Sequence, residues 1–253
     1  MKAFSAFLKK EFLEGARTYK TFIIIAVFVI FGIISPITAK LIPLIFEMVQ
    51  MEGFITIPDP TALDSYGQFF KNVGQLGLIV FVIVYMGMLN AEISKGTLII
   101  GITRGLARKS VIIAKYLSAV TVWTASLSLS AFITFLYTEY LFSHDVVSNL
   151  LMSFFCMWLF GALLLAVLMF ASVISSGNFA PLLITGAFSV TLTILELFPK
   201  LQRYNPIRLS VDNIIMLTNG YDLSTLTVPL ILSAVMIVGL VSASIMLFDK
   251  KQL

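Results

Sequence analysis

Long apolar runs constrain the fold of this chain more than any other feature of its sequence. Six segments carry close to the ~20 apolar residues that a helix needs to cross the hydrocarbon layer of a membrane. A helix satisfies its backbone N–H and C=O groups within the segment, which the lack of water in that layer demands. The sequence therefore predicts an all-α polytopic membrane protein with six transmembrane helices, at residues 21–39, 73–89, 116–142, 150–174, 180–198 and 226–248.

The composition agrees with a membrane-embedded chain. Of the 253 residues, 59% are hydrophobic and 12% are charged, so little sequence remains for a soluble domain. The chain has no G-x-x-x-x-G-K-[ST] phosphate loop, one histidine and one cysteine, Cys156. A two-histidine zinc site or a thiolate cluster is therefore not predicted. We expect no metal, no cofactor and no enzymatic activity in this polypeptide alone.

The distribution of Lys and Arg predicts the orientation. With both termini in the cytoplasm, twelve of these residues face the cytoplasm and five face outwards, as the positive-inside rule requires. The net charge of +4 is interpreted as this topology signal and as an attraction to membrane lipid, not as a nucleic-acid surface.

Residues 1–20 are predicted to form an amphipathic helix on the inner membrane surface. Aromatic and aliphatic residues recur at helical spacing, and most of the charged residues lie on the other side. The pattern has two exceptions, because Glu11 falls within the apolar arc and Leu13 falls outside it. The alternative interpretation is a basic tail that only sets the topology.

Two outer segments carry apolar residues of their own. Residues 40–71 are predicted to be a loop, whose start at 41–51 suits a short helix at the outer interface. Residues 199–225 mix apolar pieces with Asn205-Pro206, which indicates short re-entrant helices between spans five and six that are covered by protein.

The polar segment 90–115 is predicted to be a cytoplasmic surface for a soluble partner. Glu92 precedes a Gly-Thr pair at 96–97 and an apolar stretch, which predicts a short helix with a polar cap and a cationic end. If the segment is helical throughout, Arg104 and Arg108 share one face. The alternative is that these cations only fix the topology and contact lipid phosphates.

Three places resemble the six-span permease subunits of ABC-2 type ABC exporters. The run Leu8-Lys9-Lys10-Glu11-Phe12-Leu13 followed by Arg17 is similar to the family's Lys-Glu and Arg pattern on a cytoplasmic connecting helix. Asn205-Pro206 is similar to the Asn-Pro that precedes the outer re-entrant helices. The third place resembles the family's coupling segment between spans two and three, with Glu92, Lys95, Gly96, Thr97, Leu98, Thr103, Arg104, Arg108 and Lys115.

Two positions depart from the family pattern. The family often has a second acidic residue before its Gly-Thr-Leu, where this chain has Asn90. It also often has a proline where Gly105 stands.

The resemblance implies a function. It implies a connecting helix at 1–20, with Lys10, Glu11 and Arg17, and a single permease domain at 21–253 with its coupling segment at 90–115. The chain would work as a dimer, with a second copy or a homologous permease, in a bacterial plasma membrane. Separate ABC ATPase subunits would bind ATP and Mg.

The cargo is not fixed by the resemblance. The apolar and aromatic interior favours a hydrophobic or amphipathic peptide, and a drug, a lipid or an ion is the alternative. A rival function from another class is a membrane anchor or sensor that recruits an ATPase without transport.

Polar residues within the spans have two interpretations. Ser126, Ser130 and Thr134 form a stripe in span three, which is typical of close helix packing, and the alternative is that they line a translocation pathway. Glu139 and Glu196 lie towards the outer ends of spans three and five. We expect each to meet a partner, a wet cavity or the outer interface, because an ionised carboxylate in hydrocarbon costs at least ~2.5 kcal/mol.

The predicted orientation is testable by cysteine labelling. In a chain whose Cys156 has been replaced, a membrane-impermeant thiol reagent should label Asp64→Cys in intact cells and should leave Ser94→Cys unlabelled. Labelling of Ser94→Cys from outside intact cells would contradict the topology. Permeabilised cells, in which both positions should react, provide the control.

Overall fold

The structure is a computed structural model that describes residues 2–49, 59–103, 105–142 and 147–251. Within these ranges all regular secondary structure is helical. The helices are α1 (Lys2–Arg17), α2 (Lys20–Val49), α3 (Ala62–Asn72), α4 (Leu78–Tyr85), α5 (Asn90–Ser94), α6 (Thr97–Thr103), α7 (Arg108–Leu141), α8 (Leu150–Ile174), α9 (Ala180–Leu195), α10 (Pro199–Gln202), α11 (Arg208–Val211), α12 (Asn213–Met216) and α13 (Thr227–Lys250).

Five helical segments are long and apolar enough to cross a membrane, which confirms a multi-pass helical membrane protein. They are Lys20–Pro43, Ala62–Ser94, Arg108–Leu141, Leu150–Ile174 and Leu223–Lys250. The predicted span at 180–198 corresponds to α9, which has 16 residues. At 1.5 Å per residue α9 is about 24 Å long, shorter than the ~30 Å hydrocarbon layer. The sixth span therefore stays a prediction.

The predicted outer loop at 40–71 is wrong for most of its described residues. Helix α2 continues through Pro43 to Val49, so residues 41–49 belong to it and not to a separate interfacial helix. Residues 50–58 lie outside the described ranges. Helix α3 begins at Ala62, directly after its N-cap residue Thr61. The Thr61 amide and hydroxyl each donate to Asp64 Oδ2, at 2.9 and 2.8 Å, and this capping box starts a helix that its polar composition did not suggest.

The short outer helices α10, α11 and α12 lie within the segment predicted to form re-entrant helices. Leu209 and Met216 are buried, whereas Val211 and Ile215 are exposed. Each helix has only four residues, and their depth in a membrane stays a prediction.

Helices α2 and α7 pack closely through a backbone group that Pro36 leaves without a donor. Pro36 has no N–H, so the Gly32 carbonyl lacks its helical partner, and the Thr134 hydroxyl lies 3.3 Å from it while sharing its proton with the Ser130 carbonyl at 2.9 Å. One turn away, the Ser130 hydroxyl donates to the Phe28 carbonyl. The serine and threonine stripe of the third predicted span thus packs against α2 within this chain.

The protein core lies around α8, the most buried of the five long apolar segments. Trp123 of α7 is fully buried there and donates through Nε1 to the Trp158 carbonyl at 2.9 Å. Its ring lies so close to Gly161 that a β-carbon at that position would be 2.3 Å away. The glycine therefore permits the contact between α7 and α8.

Gly32 provides a test of the α2–α7 contact. A β-carbon there would lie 2.8 Å from the Ser130 carbonyl oxygen, so Gly32→Ala should cost about 1–3 kcal/mol and lower the unfolding temperature in detergent. Gly239 of α13 is the matched control, because a β-carbon there meets nothing within 4 Å. Gly239→Ala should leave stability unchanged or raise it slightly. Equal unfolding temperatures for the two variants would contradict the packing described here.

Candidate functional site

Five charged side chains from three helices meet at one end of the protein. They are Lys10, Glu11 and Glu14 of α1, Glu92 of α5 and Lys115 of α7. We call this group the inner charge cluster, because the predicted orientation places it at the cytoplasmic ends of the spans. It joins the predicted connecting helix to the predicted coupling segment.

The ion pairs of the cluster share partners. Lys115 Nζ lies 3.0 Å from both carboxylate oxygens of Glu11 and 3.0 Å from Glu92 Oε1. Lys10 Nζ lies 2.6 Å from Glu14 Oε2 and 3.1 Å from Glu11 Oε1, and it also pairs with Glu92 Oε1. Glu11 and Glu92 therefore each contact both lysines, so the three helices are cross-linked by a network.

Because Lys115, Glu92 and Glu11 are largely buried, the charge of each depends on the presence of the others. The side chains of Lys115, Glu92 and Glu11 are 3%, 9% and 10% exposed, whereas those of Lys10 and Glu14 are 42% and 37% exposed. Removing one member of a buried ion pair leaves an uncompensated charge in a poorly solvated place, which costs several kcal/mol. The position of α1 is thus tied to Lys115, at the beginning of the long helix α7.

The two more exposed members of the network, Lys10 and Glu14, remain charged near neutral pH. Partial burial alone would lower the pKa of Lys10, but Glu14, Glu92 and Glu11 outweigh it and hold that pKa above its usual range. Burial alone would raise the pKa of Glu14, but Lys10 and Lys115 outweigh it and hold that pKa below its usual range. With three carboxylates and two ammonium groups, the cluster has an excess of negative charge.

The cluster does not offer an open metal site. One carboxylate oxygen from each of Glu11, Glu14 and Glu92 lies within 4.8 Å of the others, a spacing that a metal ion can use. Each of these carboxylates already forms an ion pair with a lysine ammonium group. The amines therefore take the place that a cation would need.

The exceptions in the pattern of α1 are explained by this network. Glu11 lies on the apolar arc because it faces Lys115, and the Phe7 ring beside it contacts Lys10 and Lys115 at 5.2 and 5.8 Å from its centroid. Leu13, which lies outside the arc, is exposed. An acidic residue on the apolar face of a helix was the sequence signal for a buried partner.

The coupling segment contains two glycines whose backbone conformations disfavour other residues. Gly96, between α5 and α6, has φ +70°, and Gly105, after α6, has φ +91°. Proline is fixed near φ −65° and cannot adopt the conformation of Gly105. The departure from the family pattern at Gly105 is therefore built into this loop.

The Thr97 hydroxyl donates to the Glu92 carbonyl at 3.3 Å, which ties α6 to α5.

Arg108 has a partner within the chain. Its Nη1 donates to the carbonyls of Phe248, Asp249 and Lys251 at 3.0, 3.0 and 2.6 Å, at the end of α13. A shared helix face for Arg104 and Arg108 depended on a helix through both, and that condition is not met, because α6 ends at Thr103 and residues 105–107 are not helical. Arg104 itself lies outside the described residues.

Two more polar contacts join the same helix ends. Lys251 Nζ donates to the Val173 and Ser175 carbonyls at 2.8 and 3.1 Å, at the end of α8. The Asn90 amide donates to the Gly177 carbonyl at 2.9 Å and to the Ser175 hydroxyl at 3.2 Å. An ionised carboxylate has no proton to donate, so an acidic residue at this position could not make these two hydrogen bonds.

The structure brings together Glu92 and Lys115, which the resemblance assigned to the coupling segment, and Lys10 and Glu11, which it assigned to the connecting helix. Arg17 and Lys95 are exposed and form no ion pair with a described residue. Sequence reasoning missed Glu14, Phe7 and Lys251 as partners. For Lys251 no sequence signal was available, because its contacts are backbone carbonyls of a distant helix.

The outer carboxylates have different surroundings. Glu139 is exposed at the end of α7. Glu196, just after α9, accepts a hydrogen bond from the Asn205 amide at 2.7 Å, and the same amide donates to the Leu192 carbonyl at 2.8 Å. Asn205 of the Asn-Pro motif thus caps the end of α9 with two hydrogen bonds. A pathway role for Glu139, Glu196, Ser126, Ser130 or Thr134 stays a prediction.

Comparison with known proteins gives no family for this chain. No protein-family model matches it, and a search of curated proteins found no match.

A double-mutant cycle tests the cluster. Lys115→Met should lower the stability by about 3 kcal/mol or more, because Glu11 and Glu92 lose their buried cation. Adding Glu92→Gln should cost less than the sum of the single changes, because the neutral amide needs no counter-charge. Lys109→Met is the control, since Lys109 is exposed and has no ion pair with a described residue. Strict additivity, or an equal effect of Lys109→Met, would show that the network does not hold the helices together.

Proposed function

We propose that this chain is the membrane subunit of an ABC-2 type exporter, which works as a dimer and is driven by separate ABC ATPase subunits. The inner charge cluster is the observation that carries the proposal. It links a connecting helix and a coupling segment, which the sequence assigns to ATPase contact, to a long membrane helix. In this role the chain binds no nucleotide, and ATP and Mg belong to the partner.

The mechanical part of the proposal follows from the ion pairs. An ATPase that pushes on α1 or on the α5–α6 segment moves Glu11 or Glu92, and Lys115 is bonded to both. Because Lys115 lies near the beginning of the 34-residue helix α7, its displacement tilts or shifts a helix that crosses the membrane. Helix α7 in turn packs on α2 through Ser130 and Thr134.

The exposed side chains around the cluster suit a docking surface. Helix α6 exposes Ile100 (54%) and Ile99 (38%), which are bracketed by Gly96 and Gly105. Exposed apolar residues on a short helix outside the spans suit burial in a partner's groove. Exposed cations lie nearby in sequence, at Lys95 and Lys109, and they favour a partner with acidic residues beside that groove.

An exporter and a membrane anchor that recruits an ATPase without transport make different demands on the chain. An anchor needs only the docking surface, whereas transport needs a connection from that surface to the spans. The buried pairs of Lys115 provide such a connection, which favours the exporter. For the cargo we propose a hydrophobic or amphipathic peptide, in keeping with the apolar and aromatic composition, with a drug, a lipid or an ion as alternatives.

Docking and transmission are separable by mutation. The chain is co-expressed with candidate ABC ATPases of its source organism, and co-purification and the rate of ATP hydrolysis in proteoliposomes are measured. Ile100→Asp, or Lys95→Glu together with Lys109→Glu, should reduce co-purification, since both changes alter exposed docking side chains. Lys200→Glu, a charge reversal on the predicted outer side, is the control and should have no effect.

The transmission of movement from the ATPase to α7 is tested by comparing the unaltered chain with a variant whose inner charge cluster is broken. Lys115→Met should preserve co-purification but remove the effect of the permease on the rate of ATP hydrolysis. Normal co-purification of Ile100→Asp and of the double charge reversal would overturn the docking surface. A normal rate with Lys115→Met in a folded protein would overturn the role of the cluster in coupling.

A further inference from the structure

An apolar cleft of about 950 Å³ lies beside α9. One wall is α9, from Leu182 to Thr193, and the opposite wall is the second long segment, from Phe70 to Val82. Side chains of α11 and α12 close one end. We call this feature the α9 cleft.

The walls of the α9 cleft offer few free polar groups. Thr185, Ser189 and Thr193 face it, but their hydroxyls donate to carbonyls of α9 itself, at 2.8, 3.1 and 3.0 Å. Leu183 and Val190 line the cleft and are exposed on its open side. An open apolar cleft at the depth of the spans is filled by hydrocarbon or by another protein surface, because water is excluded there.

The length of the cleft corresponds to one leaflet of a bilayer. The stretch from Leu182 to Thr193 covers about 17 Å at 1.5 Å per residue. Half of the ~30 Å hydrocarbon layer is about 15 Å. The cleft thus has the length of an acyl chain within one leaflet.

The only charged side chain among the residues that line the cleft is Lys71, at one end. Lys71 is exposed and forms no ion pair with any described residue. Gln75, one turn further along, also lines the cleft and is exposed, so a cation and an amide lie on one helix face. Lys71 precedes the apolar stretch of its segment, which places it at the level of lipid headgroups.

We propose that the α9 cleft binds an anionic membrane lipid, with an acyl chain between α9 and the second segment and the headgroup on Lys71. A second copy of this chain is the competing occupant. A two-fold contact brings the same surface of both copies together, and this surface carries a cation and no acidic lining residue. An anionic headgroup complements Lys71, whereas a second Lys71 repels it. The lipid site does not depend on the proposed exporter function.

Gly186 allows the site to be blocked without disturbing the fold. It lines the cleft, and a β-carbon there meets nothing within 4 Å, so Gly186→Phe projects its ring into the space proposed for the acyl chain. Gly239 of α13 is also open and lies outside the cleft, which makes Gly239→Phe the matched control. Lys71→Gln removes the cation, and Lys200→Gln removes an exposed cation elsewhere on the predicted outer side.

Lipid retention is measured by native mass spectrometry of the full chain released from detergent micelles. The micelles contain phosphatidylglycerol or phosphatidylcholine with the same acyl chains. The unaltered chain, Gly239→Phe and Lys200→Gln should retain one phosphatidylglycerol in preference to phosphatidylcholine. Gly186→Phe should lose both lipids, and Lys71→Gln should lose about five-fold in preference for phosphatidylglycerol, the factor expected for one basic residue.

Three results would overturn the proposal. The first is an equal retention of both lipids by the unaltered chain. The second is an unchanged preference in Lys71→Gln, a substitution of an exposed residue that keeps the fold. The third is normal lipid retention by Gly186→Phe together with a loss of dimers, which would assign the cleft to a second copy. Elution volume and unfolding temperature identify a misfolded Gly186→Phe, and in that case the Lys71→Gln result decides.

Discussion

The ion pairs of Lys115 are the interaction on which the arrangement of the inner helix ends depends. A buried ammonium group is tolerable only with close partners, and here the partners come from two other segments, as Glu11 and Glu92. An amphipathic helix held only by its apolar face can slide along a membrane surface. The pair of Glu11 with Lys115 fixes α1 against α7, because a displacement of α1 alone would separate the carboxylate from the amine.

Several polar contacts beyond the cluster have the same form. A backbone carbonyl that has no N–H partner within its own helix lies beside a side-chain donor from a neighbouring helix. Arg108 donates to the last carbonyls of α13, Lys251 to those of α8, and Thr134 to the carbonyl that Pro36 frees in α2. Each contact joins segments that are distant in sequence. The ends of α7, α8 and α13 are therefore joined to one another by side-chain contacts.

The sequence predicted the parts of this fold that depend on local composition. Apolar length identified the long spans, and the motif resemblance named four of the five residues of the cluster, all but Glu14. It did not predict α3, which begins with a capping box and buries Tyr66, Phe69 and Phe70 by tertiary packing, or the continuation of α2 through Pro43. It also assigned Arg108 to an external partner, because no local pattern shows that a distant helix ends beside it.

The two departures from the ABC-2 pattern have structural causes within this chain. Asn90 provides a donor for the link between α8 and α9 that a carboxylate lacks, and the φ of Gly105 excludes the proline common in the family. In each case the altered residue fits a contact or a backbone conformation that the neighbouring sequence also supports. Neither departure disturbs the contacts of Glu92 and Lys115, which still join segment 90–115 to α1.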